Sequence, residues 1–145
     1  MNWRCVGLFA FNIIGMAAAA YLTYTHLFHL APQCYGLGEC AFVQASSYAK
    51  IFGIPVALLG FLDYLVMLGS GIYAFRGRDK QRRLWALHVL VGLTFASWLY
   101  SAYLTYIEAF VLHEYCIYCL ISAFSITMMF LFSILEWQAL TKRTS

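Results

Sequence analysis

Four stretches of the chain stay apolar for longer than a bilayer is thick. They run over about residues 6–30, 53–75, 84–107 and 115–137. Each exceeds the ~20 residues that a helix needs to cross a ~30 Å hydrocarbon core. In lipid every backbone N–H and C=O must be satisfied within the structure, which leaves helices and closed barrels. These runs do not alternate with period two, so the pattern selects helices. It predicts an all-α membrane protein, one domain over residues 1–145 built as a bundle of four transmembrane helices.

The polar segments between the runs complete this outline. Residues 31–52 form a first outer loop, 76–83 a tight turn at the opposite end, and 108–114 a second outer loop. Within the first loop, Phe42, Ala45, Ala49 and Phe52 recur at helical spacing, while Gln44, Ser47 and Lys50 share another face. This predicts a short amphipathic half-helix over 41–52 lying at the membrane surface. Such a segment can lid a pocket between the spans, or simply rest its apolar side in lipid.

Composition agrees with the pattern. Apolar residues make up 63% of the chain and charged residues 10%, against about 25% charged in soluble domains. The net charge of +3 raises the question of an acidic partner, but its distribution answers it. Eight of the nine basic residues (Arg4, Arg76, Arg78, Lys80, Arg82, Arg83, Lys142 and Arg143) fall at one end of a four-pass chain. The other end holds Lys50 with Glu39, Glu108 and Glu114. By the positive-inside rule the basic end is cytoplasmic, with both termini there. The basic turn is topology information, and no nucleic-acid partner is implied. The first run outlasts the ~7–15-residue core of a signal peptide and ends in Tyr, His and Phe, so it reads as a retained span.

Four of the five cysteines fall at the extracytoplasmic end, where disulfides persist. They form two pairs, Cys34-x5-Cys40 and Cys116-x2-Cys119. Cys116 and Cys119 open the fourth span at i and i+3, on one helical face, where free amides and the helix dipole favour a thiolate. A thiolate is the form that attacks disulfides and electrophilic quinones. A bridge so short constrains little chain, so a purely structural role is weakly motivated. Zinc takes four cysteines readily, but the five-residue gap fits its spacing poorly, and no metal set is assigned. A non-enzymatic membrane scaffold or metal-binding protein remains the alternative from a different class. Cys5, a bilayer away, reads as a packing residue.

Several other residues stand out. Ser46 could hydrogen-bond a quinone oxygen or a cysteine sulfur, or cap the short helix. Asp63 lies near the middle of the second span, where a carboxyl is costly and invites a functional reading or a bond to a nearby hydroxyl. His26, His29, His113 and Glu114 sit near the outer interface, where a proton relay and plain solvation explain them equally. Tyr21-Leu-Thr-Tyr24 and Tyr103-Leu-Thr-Tyr106 echo each other, and each lies the same distance before a cysteine pair.

Together these residues resemble the vitamin K epoxide reductase family. The four spans, the Cys-x5-Cys pair, Ser46 beyond it and CIYC opening the fourth span carry the resemblance. FGIPVALLG over 52–60 is similar to the bacterial branch, and AYLTYIE over 102–108 with EYCIYC over 114–119 fits the family's active-site stretch. The resemblance implies a quinone, ubiquinone or menaquinone, bound among the helices near the extracytoplasmic face. Cys119, Tyr48, Val56, Ala123 and Leu112 would contact it. Cys119 would reduce the quinone, Cys116 would exchange with Cys40, and Cys34 would engage a thioredoxin-like, DsbA-like partner. Ser46 matches the family's serine in the catalytic region. Some bacterial members carry a fused thioredoxin-like domain; none is seen here, so the partner is expected in trans, beside the membrane lipid. A bacterial inner membrane is the implied location. Val56 and Ala123 stand where animal members carry polar groups that contact the vitamin K oxygen, which favours quinone reduction over epoxide reduction. A DsbB-type quinone reductase would place its CxxC in the first outer loop, not the second.

Overall fold

The computed structural model describes residues 2–143 and 145. Four long helices form the bundle: α1 (Trp3–Leu27), α3 (Val56–Arg76), α4 (Lys80–Tyr106) and α5 (Ile117–Lys142). All four are long and apolar enough to cross a membrane. Their mutual packing closes a four-membered ring. α1 packs on α3 and α5, and α4 packs on the same two. A short helix α2 (Cys40–Ala45), a 3₁₀ turn (Ser47–Ala49) and a two-residue-stranded hairpin, β1 (Lys50–Ile51) and β2 (Ile54–Pro55), lie between α1 and α3.

The core divides into two parts. A hydrophobic cluster in the body of the bundle gathers Leu8, Tyr64, Met67, Leu87, Leu90 and Met129. A second cluster at one end is built around Cys34, Cys40 and Cys116 with Leu22 and Val43. Outward-facing Ile13, Leu62, Val66, Phe95, Leu99 and Leu131 are exposed. A girdle of apolar side chains around a bundle this short of charge suits contact with lipid tails, not water. At the far end Arg4 pairs with Glu136 at 3.0 Å, tying α1 to α5. There too the Arg83 Nε donates to the Ala74 carbonyl at 2.8 Å, and Asp79 caps α4 by accepting from the Gln81 N–H. Cys5 is buried and free at this end, in keeping with packing.

Two boundaries differ from expectation. The amphipathic helix over 41–52 is broken. Only Cys40–Ala45 is α-helical, and Phe52 stands fully exposed at the tip of the hairpin. Phe52 and Gly53 both have positive φ, 51° and 79°. That pair forms the two-residue turn whose twist matches a tight hairpin, and it overrides the helical spacing. On α2 the apolar-face residues Phe42 and Ala45 are exposed, and Cys40 and Val43 are the buried ones. The second departure is the loop over 108–114. α4 runs on into a π-helical segment (Ile107–Leu112), which ends at His113 in the left-handed region with φ 55°. The loop that follows, before α5, is only four residues long.

Candidate active site

The two cysteine pairs meet at one end of the bundle. Cys34 and Cys40 form a disulfide with Cα atoms 5.9 Å apart, and Cys116 and Cys119 are free thiols. The loop carrying the disulfide is joined to the α5 start by backbone. The Glu39 N–H donates to the Tyr115 carbonyl at 3.0 Å, and Gly38 bridges Cys116 in antiparallel fashion. Gly38 has φ 104°, and a Cβ there would collide with the Tyr115 carbonyl oxygen. Only glycine allows this approach. Cys34, Cys40 and Cys116 share one buried cluster as a result, and Cys119 packs at its edge.

Cys116 is the N-cap of α5, and its sulfur accepts from the Cys119 N–H at 3.4 Å. Gln44, on α2, donates its amide to Cys119 Sγ at 3.4 Å and reaches Cys116 Sγ at 4.0 Å. The Cys116 thiol is held below its ordinary value. The hydrogen bond from the Cys119 thiol contributes most, helped by the Cys119 N–H and the Gln44 amide, while burial and the nearby Glu108 carboxyl oppose. Glu108, on the π-helical segment, is 4% exposed and accepts the Cys116 N–H at 3.2 Å.

Beneath this pair a cavity of about 420 Å³ opens between the spans, within the usual size range of small-molecule sites. Cys119 lines it; Cys116 does not. Ser46, Tyr48, Val56, Leu112 and Ala123 all lie on its wall, so every position expected to face a quinone borders one space. Ser46 stands at the start of the 3₁₀ turn, but its side chain makes no capping bond there. It ends α2, and its hydroxyl donates to the Val43 carbonyl at 2.7 Å. Asp63 also lines the cavity and accepts a hydrogen bond from the Ser97 hydroxyl. Beside it the Tyr64 hydroxyl bonds Ser122, at 3.0 Å to the carbonyl and 2.9 Å to the hydroxyl. His29 and His113 are exposed, and no histidine among the described residues lines the cavity.

Two residues of this site were missed in the sequence. In the sequence Gln44 reads as part of the polar face of a surface helix, and Glu108 as one of three acids at the cysteine end of the chain. The signal available for Glu108 was its position eight residues before Cys116, which a continuing helix folds back onto the cysteine.

A membrane bundle that joins two cysteine pairs at the mouth of an apolar cavity is built for thiol redox chemistry beside lipid. The chain matches the vitamin K epoxide reductase family over residues 6–134 and belongs to it. It is 38% identical over 127 residues to the thiol-disulfide oxidoreductase LTO1 of Arabidopsis thaliana, covering 82% of this chain and 33% of that protein. The chain thus spans about a third of that relative's length. Four apolar helices and this membership make it a membrane protein.

Proposed function

We propose that this protein is a quinone-dependent thiol–disulfide oxidoreductase that supports disulfide-bond formation. A reduced thioredoxin-like partner attacks the Cys34–Cys40 disulfide through Cys34. Cys40 then exchanges with the Cys116–Cys119 disulfide. Cys119 finally delivers two electrons to a ubiquinone or menaquinone seated in the cavity, where Ser46, Tyr48, Val56, Leu112 and Ala123 form the wall. The cysteine end faces the extracytoplasmic side of a bacterial inner membrane, and the basic end with both termini faces the cytoplasm.

One observation carries this reading. Of the inner pair, Cys119 borders the cavity while Cys116 is buried with Cys34 and Cys40. Such an arrangement gives a relay two distinct faces, one for a disulfide and one for a lipid-phase oxidant. Family membership supports a redox role, and the Arabidopsis relative's name describes thiol–disulfide chemistry. The apolar side chains at Val56 and Ala123 support simple quinone reduction over epoxide opening. Tyr35 and Leu37, beside Cys34, are 86% and 62% exposed, and offer an apolar patch to an incoming partner.

Purified protein in detergent, given a reduced thioredoxin-like protein and a short-chain quinone, should bleach the quinone absorbance catalytically. In a Cys40→Ala variant the free Cys34 thiolate, given the disulfide form of the thioredoxin-like protein instead, should attack that disulfide and leave a mixed disulfide through Cys34, identifiable by mass spectrometry. Absence of quinone reduction with both benzoquinones and naphthoquinones would rule the reading out.

A further inference from the structure

Among the described residues, Glu108 is the one carboxyl hydrogen-bonded to the inner cysteine segment. It is 96% buried, with 4% exposed, and no cation pairs with it among the described residues. A buried carboxyl is costly unless its hydrogen bonds or its chemistry require it. Here the Cys116 N–H donates to its Oε2 at 3.2 Å. The carboxyl also lines the cavity that Cys119 faces.

The backbone that carries it is irregular. Glu108 is the second residue of the π-helical segment Ile107–Leu112, and the Glu114 N–H returns to the Glu108 carbonyl at 3.1 Å. π-Helical turns are rare and concentrate at functional sites. Its titratable surroundings are Cys116 and Cys119 from α5, with Tyr48, Asp63, Tyr64 and Tyr100 elsewhere on the cavity wall. Gln44 adds an uncharged amide on the α2 side, and no lysine, arginine or histidine among the described residues lines the cavity.

We infer that Glu108 is the proton-transfer residue of the inner dithiol, taking the Cys119 proton and returning it to the reduced quinone. This role rests on the quinone reductase reading above. Cys119 gives its thiol proton to the Glu108 carboxylate and becomes a thiolate. Cys116 and Cys119 then close an S–S bond and release two electrons to the quinone. Glu108 returns its proton to one quinone oxygen, and the proton shed by the Cys116 thiol reaches the other. Dithiol and quinone thereby become disulfide and hydroquinone, and the carboxylate is restored. A positioned acid–base group of this kind contributes about 10²–10⁴-fold.

The test uses the full-length protein with both pairs reduced, mixed anaerobically with a short-chain benzoquinone. Glu108→Gln keeps an acceptor for the Cys116 N–H but cannot carry the proton. It should slow hydroquinone formation about 100-fold, while dithiothreitol reduces the Cys34–Cys40 disulfide within twofold of the wild-type rate. Glu108→Ala should lose as much, and added formate should restore it in proportion to concentration, which a purely structural role would not allow. Glu108→Gln turnover within threefold of wild type, equal slowing of both steps, or a Glu108→Ala loss that ignores formate would each overturn the assignment. A wild-type protein inactive with every quinone would instead defeat the underlying function.

Discussion

Cys34 lies in an irregular loop and Cys40, six positions on, opens the short helix α2, whereas Cys116 and Cys119 sit at the start of a long helix. The loop pair is held from outside. Gln33, just before Cys34, donates its N–H to the Tyr21 hydroxyl at 3.1 Å and accepts from the Tyr118 hydroxyl at 3.1 Å. The two rings lie 4.7 Å apart. The helical pair is held from within, by the Cys119 N–H, the Gln44 amide and the buried Glu108. The echoed tyrosines diverge in the same way, since Tyr103 is half-exposed and bonds neither cysteine segment. One pair is therefore fixed by contacts that can open without disturbing the spans. The other shares its frame with the bundle, which suits a fixed reaction centre beside a cavity.

The largest expected effect separates the pairs outright. Cys119→Ser should reduce quinone turnover to background, a loss on the order of a thousand-fold or more, with any thiol donor. Cys34→Ser should abolish turnover driven by a protein partner yet keep much of that driven by dithiothreitol, a small thiol able to reach the inner pair. Steady-state assays with both donors check this, and equal losses with both donors in the two variants would erase the distinction.

Next is the joint between the pairs. Gly38→Ala forces a Cβ into the Tyr115 carbonyl oxygen at φ 104°. A strained position of this kind costs about 1–3 kcal/mol. Thermal denaturation should show the loss, and transfer from Cys40 to Cys116 should slow in rapid-quench experiments. An unchanged transfer rate would show that the Gly38–Cys116 bridge does not align the pairs.

A smaller effect concerns Cys116 itself. Its thiol titrates below the ordinary value, chiefly through the Cys119 hydrogen bond. A lowered folded-state pKa stabilises the reduced protein fully above the unfolded thiol's pKa, and that contribution fades as pH falls through the lowered value. Thiolate absorbance in the ultraviolet should therefore persist below the usual thiol range. Cys119→Ala should move the Cys116 midpoint upward. Gln44→Leu should move it in the same direction by less, consistent with one hydrogen bond of about 1 kcal/mol. Midpoints that ignore both substitutions would contradict this account of the inner pair.

The smallest change is expected at the outer clamp. Tyr118→Phe removes one exposed hydrogen bond, worth about 0.5 kcal/mol. Reduction of Cys34–Cys40 by dithiothreitol should speed up about twofold, with quinone reduction by the inner pair unaltered.

The spans were legible because lipid demands unbroken apolar runs, and those runs match α1, α3, α4 and α5 to within a few residues at most ends. The cysteines were legible because their chemistry is confined to one residue type at fixed spacing. The segment after Cys40 was not, because Phe42, Ala45, Ala49 and Phe52 satisfy helical spacing while Phe52-Gly53 turns a hairpin. Periodicity has no means of weighing a local turn against an amphipathic pattern. Glu108 was hidden for a related reason. A carboxylate next to a predicted outer loop reads as solvated, and a π-helical continuation of α4 leaves no mark in residue spacing. Gln44 was visible only as a polar residue, and its partners lie more than seventy positions away.

The central claim is the division of labour between the pairs, and the order of oxidation tests it most directly. Protein with all four outer-end cysteines reduced is mixed anaerobically with one equivalent of short-chain quinone. It is quenched over milliseconds to seconds with acid and a thiol-blocking reagent, and its disulfides are mapped by mass spectrometry. The account predicts that Cys116–Cys119 appears first and Cys34–Cys40 follows, and that Cys119→Ser yields neither on this timescale. Formation of Cys34–Cys40 first, or at an unchanged rate in Cys119→Ser, would contradict it.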